Sequence, residues 1–248
     1  MVRRLDTAYS TLVWSADGTQ LTKTRPAGDY PKRRFRNELR VSRLLTACPP
    51  PVPTPALLGF ESRTRSLTFE AVPGVQINEK YPSALAAADI DAILELGRAL
   101  SSYTPRRRWL RRLNTERRLA LARNRGLLDP RSASALVDVA RRYHRTRHFA
   151  HGDLTARNVL RCDDGLVLID WEWAGLYPPG YDDAFLWLSL QDVEGGRACI
   201  EPSVRVDEKA FLLSALLVEL WHLQWYVPNE FLPRHLATRD ELLGRLLA

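Results

Sequence analysis

His151-Gly-Asp153-Leu-Thr-Ala-Arg-Asn158, followed after a short turn by Leu-Val-Leu-Ile-Asp170-Trp-Glu172, is the stretch of sequence that decides the fold. Its first segment is a polar loop that carries Asp153 and Asn158. Two strand-like runs follow, and Asp170 comes directly after the second, apolar run. Because the two strands of a hairpin lie side by side, we expect these three side chains to meet at the strand ends.

The three side chains have the chemistry that phosphoryl transfer from a magnesium nucleotide requires. A carboxylate with a near-normal pKa can orient an attacking hydroxyl and accept its proton. Mg2+ takes one or two protein oxygens and keeps several waters. Protein kinases use the same order of an Asp, an Asn and a later Asp. We therefore predict Asp153 as the catalytic base and Asn158 and Asp170 as magnesium ligands. Asp and Asn in loops are more often turn formers, but two matched motifs favour the catalytic interpretation.

The motifs His-Gly-Asp-Leu-x-x-x-Asn and Ile-Asp-Trp-Glu resemble those of the aminoglycoside phosphotransferase and choline kinase branch of the protein-kinase-like fold. The resemblance spans roughly residues 23–183. It implies an α+β, bilobal fold with a small β-rich N-lobe containing one helix and a larger, mainly helical C-lobe. We place the nucleotide-binding lobe at residues 1–73 and the catalytic and substrate-binding lobe at residues 74–248. The resemblance also implies that Asp182 braces the backbone of the catalytic loop.

Two N-terminal residues are candidates for holding the nucleotide phosphates. Asp17-Gly18 lies between two strand-like runs, which is a strong hairpin signal, and Lys23 falls on the second run. Glu38 falls on a helical pattern from Arg34 to Leu45. Lys23 is expected to reach the α- and β-phosphates, and Glu38 to hold its ammonium. A solvated lysine, and a Glu38 paired with arginines on its own helix, are the alternatives.

The remaining nucleotide contacts are less defined by the sequence. Residues 69–72, followed by Pro73, resemble the hinge between the lobes, where backbone groups of Glu70 and Val72 would meet the adenine. The phosphate-covering loop should be glycine-rich, but residues 5–11 contain no glycine. Ser10 and Thr11 are expected to contact phosphate instead. This departure leaves the choice between ATP and GTP open.

Composition and charge limit the partners. The formal net charge is +7, and residues 101–150 contain 14 Arg against three acidic residues. Such a segment attracts anionic substrates or nucleic acid, but it lacks interleaved aromatics, and we interpret it as a solvated helical face without a nucleic acid partner. No apolar run approaches the roughly 20 residues of a membrane helix. Three isolated cysteines and the absence of a signal-like N-terminus predict a cytoplasmic protein, as a monomer or homodimer.

Three further groups of residues have competing interpretations. His144, His148 and His151 have a spacing that suggests zinc, but His151 is better explained as the structural histidine beneath the catalytic loop. Trp171 and Trp173 either line a substrate pocket or fill the core. Glu172 between them would support the metal or a substrate amine.

The sequence thus predicts an ATP- or GTP-dependent phosphotransferase that uses Mg2+ and a small hydroxylated substrate. An aminoglycoside antibiotic is the leading acceptor by resemblance, and it would require an acidic pocket. Glu219, Glu230, Asp240 and Glu241 could contribute to that pocket, although solvation at the surface explains these acids equally well. A neutral sugar, a nucleoside, a choline-like amine or an amino alcohol stays open. The alternatives are an enzyme that phosphorylates a protein and a non-catalytic, nucleotide-binding pseudokinase.

Overall fold

An antiparallel five-stranded sheet forms the N-terminal part of the chain. The computed structural model describes residues 3–7, 9–105, 110–201, 206–225, 227 and 229–248. The strand order is β1-β2-β3-β5-β4, with β1 Arg4–Asp6, β2 Thr11–Trp14, β3 Gln20–Thr24, β4 Leu57–Glu61 and β5 Ser66–Glu70. The predicted hairpin is confirmed, since β2 pairs with β3 and Gly18 takes the positive φ of 73° that its turn requires.

Helix α1, Asp29–Ala47, connects β3 to β4 and packs against the 171–173 turn of the C-terminal part. It begins earlier than the predicted start at Arg34, because Pro31 falls in its first turn, where no backbone N–H needs an intrahelical partner. Its buried residues include Phe35, Val41 and Leu45. Packing of this apolar face holds Glu38, which is on the same helix, towards the C-terminal part.

The C-terminal part is mainly helical, as predicted for the α+β bilobal fold. Its helices are α2 Ala87–Ser102, α3 Thr115–Asn124, α4 Pro130–Arg142, α5 Tyr181–Ser189, α6 Gly196–Ile200, α7 Glu208–Trp225 and α8 Leu232–Leu247. Its short strands are β6 Val75–Gln76, β7 His148–Ala150, β8 Val159–Cys162, β9 Gly165–Leu168 and β10 Gly175–Tyr177. They form the sheets β6-β8-β9 and β10-β7. Helices α5 and α7 pack together around fully buried Phe185 and Trp187.

Several helix limits differ from the sequence prediction. The sequence predicts one long Arg-rich helix that ends near Gly126, but the structure has α3 there, which begins where the Asn114 side chain caps it by accepting the N–H of Arg117 at 2.9 Å. The sequence also predicts two last helices, over 209–226 and 238–247; the second, α8, begins earlier, at Leu232, and the short helix α6 was not predicted. Residues 106–109 and Tyr226 lie outside the described residues.

The chain changes sheets between β5 and β6. Strand β5 is in the five-stranded sheet, whereas Val75 and Gln76 of β6 pair with Arg161 and Leu160 of β8. The lobe boundary at Pro73 lies in this connection and stays a prediction. Among the described residues, no helix combines the length and apolarity that crossing a bilayer requires.

Candidate active site

The catalytic loop brings Asp153 and Asn158 into contact. A single 3-10 turn, Ala156–Asn158, folds Asn158 back towards Asp153. Its Nδ2 donates to the Asp153 carbonyl at 2.8 Å and to Asp153 Oδ2 at 3.1 Å. Because the amide nitrogen is engaged in this way, the Oδ1 of Asn158 is the atom that would ligate a hard cation.

The β8–β9 hairpin sets Asp170 beside the same loop. Its register pairs Val159 with Leu168, and the next pair is joined by the Ile169 N–H donating to the Asn158 carbonyl at 2.9 Å. Asn158 and Asp170 therefore flank one open end of the hairpin. Asp170 has a left-handed backbone with φ 65°, a conformation that costs a non-glycine residue about 1–3 kcal/mol and that clusters at functional sites.

Lys23 of β3 connects the two parts of the chain at this point. Its Nζ lies 2.7 Å from Glu38 Oε1 and 2.8 Å from Asp170 Oδ1. The predicted Lys23–Glu38 pair is therefore present, and Glu38 also accepts from Arg25, directly after β3, at 2.8 Å. Burial alone would raise the pKa of the Asp170 carboxyl, but the Lys23 ammonium outweighs it and holds that pKa well below its usual range.

Sequence reasoning missed a second group of charges behind Lys23. Glu172 is a largely buried carboxylate that accepts from both Arg25 and Arg34. It thus anchors α1 and the residue directly after β3 to the 171–173 turn. Its carboxylate also lies within 4.8 Å of those of Glu38 and Asp170, so its expected support of the metal or of a substrate amine stays a prediction. Alternation could have indicated Arg25, because residues two apart on a strand share a face, and Arg25 follows Lys23 by two positions. The contact of Arg34 with Glu172 had no signal in the sequence.

The backbone of the catalytic loop is braced by Asp182, as the resemblance implied. Its two carboxylate oxygens accept the N–H groups of His151 and Gly152 at 2.7 and 2.8 Å. His151 is fully buried, and its Nε2 lies 2.9 Å from the Ile169 carbonyl. His148 belongs to β7 and His144 follows α4, so these histidines do not share one helical face and the zinc interpretation is wrong. Trp171 and Trp173 are both buried, which favours the core interpretation.

The hinge and the phosphate-covering loop are mostly engaged in their own backbone contacts. Glu70 donates its N–H to Ala56 at 3.0 Å, and Val72 is half-buried just after the sheet. Ser10 is buried and bonds to Thr7 through backbone and side chain. The Thr11 hydroxyl donates to Asp6 at 2.6 Å. The nucleotide contacts of Glu70, Val72, Ser10 and Thr11 stay predictions.

Lys80, which sequence reasoning did not select, contacts the predicted base. It lies between β6 and α2, and its Nζ is 2.7 Å from Asp153 Oδ1. Both carboxylate oxygens of Asp153 therefore accept a hydrogen bond, one from Lys80 and one from Asn158. Lys80 also lines a hollow of about 580 Å³.

Comparison with known proteins agrees with this fold. The sequence profile of the phosphotransferase enzyme family matches residues 3–210, so the chain belongs to this family. No curated protein matches the chain.

Three solved structures illustrate the shared fold. Choline kinase LicA from Streptococcus pneumoniae is 16% identical with a TM-score of 0.69, covering 99% of this chain and 94% of that one. ADP-bound aminoglycoside phosphotransferase APH(2'')-Ib is 17% identical with a TM-score of 0.65, covering 98% and 92%. The ternary complex of APH(2'')-IIa with streptomycin and ATP is 16% identical with a TM-score of 0.67, covering 98% and 91%. At these identities the likeness shows the protein-kinase-like fold.

Proposed function

We propose that this phosphotransferase moves the γ-phosphoryl group of a magnesium nucleotide, ATP or GTP, to a hydroxyl of a small molecule. The observation that carries the proposal is the convergence of Lys23, Asp153, Asn158 and Asp170 at the end of one hairpin. Membership of the phosphotransferase family supports the reaction class. The nucleotides in the printed names of the similar structures, ADP and ATP among them, support a nucleotide donor.

The residues at the hairpin end fit a hard cation. Asp170 offers a carboxylate whose lowered pKa keeps it ionised, and Asn158 offers an amide oxygen. Oxygen ligands of this number and kind are what Mg2+ selects. Bound there, Mg2+ would neutralise charge on the transferred phosphoryl group.

The chain's own side chains then have separate tasks. Asp153 orients the acceptor hydroxyl and takes its proton at a carboxylate oxygen. Lys23, held by Glu38, aligns the α- and β-phosphates. Backbone groups of Glu70 and Val72 contact the adenine or guanine of the nucleotide. The Asp182 brace keeps Asp153 in place, since catalysis by positioning is sensitive to small displacements.

Replacement of the base tests the proposal. Asp153→Asn should lower the rate of ADP release in the presence of a good acceptor by about 10²- to 10⁴-fold, the usual contribution of a general base. Asp163→Asn is the matched control, because Asp163 is an exposed aspartate in the turn of the same hairpin. A screen of hydroxylated metabolites and antibiotics, alongside a protein mixture, supplies the acceptor and separates small-molecule transfer from protein phosphorylation.

Two results would contradict the proposal. Full activity of the Asp153→Asn variant would show that Asp153 is not the general base. Wild-type protein that releases no ADP, and that gives no heat with millimolar magnesium ATP or GTP in a calorimeter, would favour a non-catalytic protein instead.

A further inference from the structure

Lysine is rare in this chain, and two of its lysines contact the predicted catalytic carboxylates. The sequence contains 32 Arg but only four Lys. Lys23 meets Asp170 at 2.8 Å, and Lys80 meets Asp153 at 2.7 Å. Lysine presents a compact charge with three rotatable donors, whereas arginine presents a rigid planar fork. A mobile point charge beside the base therefore stands out against a surface that otherwise uses arginine.

The surroundings of Lys80 leave part of its ammonium facing an open space. Its side chain is 24% exposed, and its Nζ lies 5.0 Å from the centroid of the Phe185 ring and 5.9 Å from that of Tyr81. Tyr81 is held in turn by His222, at 3.1 Å between the hydroxyl and Nε2. An ammonium has three N–H donors, so the bond to Asp153 leaves donors for a ligand in the hollow.

The hollow beside Lys80 carries one further cation. Arg157 is exposed on the loop between Asp153 and Asn158, and Glu79 is an exposed acid that also lines the hollow. The other lining residues are uncharged: Val75, Gln76, Asn78 and Tyr81. Lys80 thus neutralises the carboxylate of Asp153, which would otherwise attract a cationic acceptor.

Most of the acids expected to bind a polycationic acceptor already have partners within the protein. Glu219 is fully buried, and its Oε1 accepts from His235 at 2.7 Å. Asp240 pairs with the neighbouring Arg239 at 2.7 Å, and Glu241 lies 3.6 Å from Arg245. Three of the four acids expected to bind an aminoglycoside are therefore engaged within the protein.

We propose that the hollow is an acceptor subsite for an anionic substituent, a carboxylate or a phosphate, that Lys80 binds while Asp153 receives the neighbouring hydroxyl. The inference rests on the proposed function and names its acceptor class. Any hydroxyl that reaches Asp153 Oδ1 lies within a few ångströms of Lys80 Nζ, since those atoms are 2.7 Å apart. A nearby anion on the acceptor gains from that ammonium, and a nearby cation is repelled by it.

Four small alcohols that differ mainly in charge test the subsite. Glycerate and glycerol 3-phosphate carry a carboxylate and a phosphate, glycerol is neutral, and choline is a cation; kanamycin adds a polycation. ADP release from magnesium ATP and GTP is measured as a function of each probe's concentration. At least one anionic probe should change the rate at concentrations about tenfold or more below those of glycerol and choline, which is the scale of one hydrogen bond to a charged group.

Variants assign the effect to Lys80. Lys80→Met should remove the advantage of the anionic probes over glycerol. Lys209→Met is the matched control, because Lys209 is an exposed lysine on the first turn of α7, and it should retain that advantage. Which anion acts at the lower concentration distinguishes a carboxylate from a phosphate acceptor.

Three outcomes would overturn the inference. In the first, choline, kanamycin or glycerol acts at the same concentrations as the anionic probes or at lower ones. In the second, the effect of the probes does not depend on their charge. The third is a Lys80→Met variant that slows transfer to water, glycerol and the anions equally, because Lys80 would then serve the transferred phosphoryl group. Calorimetric titration with the same probes reports anion binding without turnover. A protein that binds the anions through Lys80 but never releases ADP would refute the proposed function and leave the anion site standing.

Discussion

Replacement of Asp182 by Asn tests whether the hydrogen bonds that hold the catalytic loop contribute to the reaction, because it leaves the predicted catalytic side chains of that loop unchanged. The Asp182 carboxylate lies on the first turn of α5 and accepts two loop amides, His151 N–H at 2.7 Å and Gly152 N–H at 2.8 Å. An asparagine of the same shape keeps one acceptor oxygen. Its NH2 group faces the second amide, donor against donor.

The size of the effect follows from these two bonds. A hydrogen bond to a charged group contributes about 1.5–3 kcal/mol, and a buried N–H without a partner costs about 1–3 kcal/mol. Burial raises the pKa of Asp182, so loss of the buried charge offsets part of this cost. We expect the free energy of unfolding to fall by about 1–3 kcal/mol. A loop displaced by about 1 Å loses about 10²-fold in rate, so kcat should fall about 10- to 100-fold.

Asp183 provides a matched control one position along the helix. Its carboxylate is half-buried beside Gly97 of α2, and burial, with the Asp182 charge, raises its pKa from 3.8 to about 6. The folded protein therefore binds this proton more tightly than the unfolded chain, and stability falls as the pH rises from about 4 to 6. Asp183→Asn should remove that dependence and raise the free energy of unfolding at pH 7 by about 1–3 kcal/mol, with kcat unchanged.

Urea denaturation at pH 5 and pH 7, monitored by tryptophan fluorescence, measures the free energy of unfolding of both variants. The rate of ADP release measures kcat. An Asp182→Asn protein with wild-type kcat would refute the brace. So would an Asp183→Asn protein that loses as much activity as Asp182→Asn, because the effect would then belong to the helix turn as a whole.

Two further variants test the backbone and the phosphate contact. Gly152→Ala should cost about 2–4 kcal/mol of unfolding free energy, because φ is 78° and a Cβ would lie 2.7 Å from the Trp173 carbonyl and 2.8 Å from the Tyr177 hydroxyl; a thermal midpoint equal to wild type would contradict this. Lys23→Met should raise the nucleotide KM by about tenfold or more, by removing a charged phosphate contact, and destabilise the protein by leaving Glu38 without one of its partners. Steady-state kinetics and urea denaturation check both effects, and an unchanged KM would remove Lys23 from the nucleotide site.

The sequence predicted those parts of the site that local geometry determines. Asp153, Asn158 and Asp170 lie within one loop and one hairpin, so strand register alone brings Asn158 and Asp170 together. Lys23 and Glu38 are 15 positions apart, on a strand and on the helix that follows it, and their order along the chain predicted the pair. The limits of α1 were missed because an early proline is compatible with a first helical turn.

The contacts that sequence reasoning missed join distant segments through tertiary packing. Lys80 and Asp153 are 73 positions apart, and Arg34 and Glu172 are 138 apart. Neither pair has a periodicity or spacing that distinguishes it from solvated charges. Only their burial in the folded protein distinguishes these pairs, because a buried charge requires a partner.

The same charges explain how the two lobes are held at the site. Carboxylate oxygens of Glu38, Asp170 and Glu172 lie within 4.8 Å of one another. Lys23 of β3, Arg25 directly after it and Arg34 of α1 are cations that bond to them. Repulsion among three such carboxylates would separate α1 from the hairpin if those cations were absent. The strand that carries Lys23, the predicted phosphate-binding lysine, therefore also holds the lobes together, so a change at Lys23 is expected to alter stability and nucleotide affinity together.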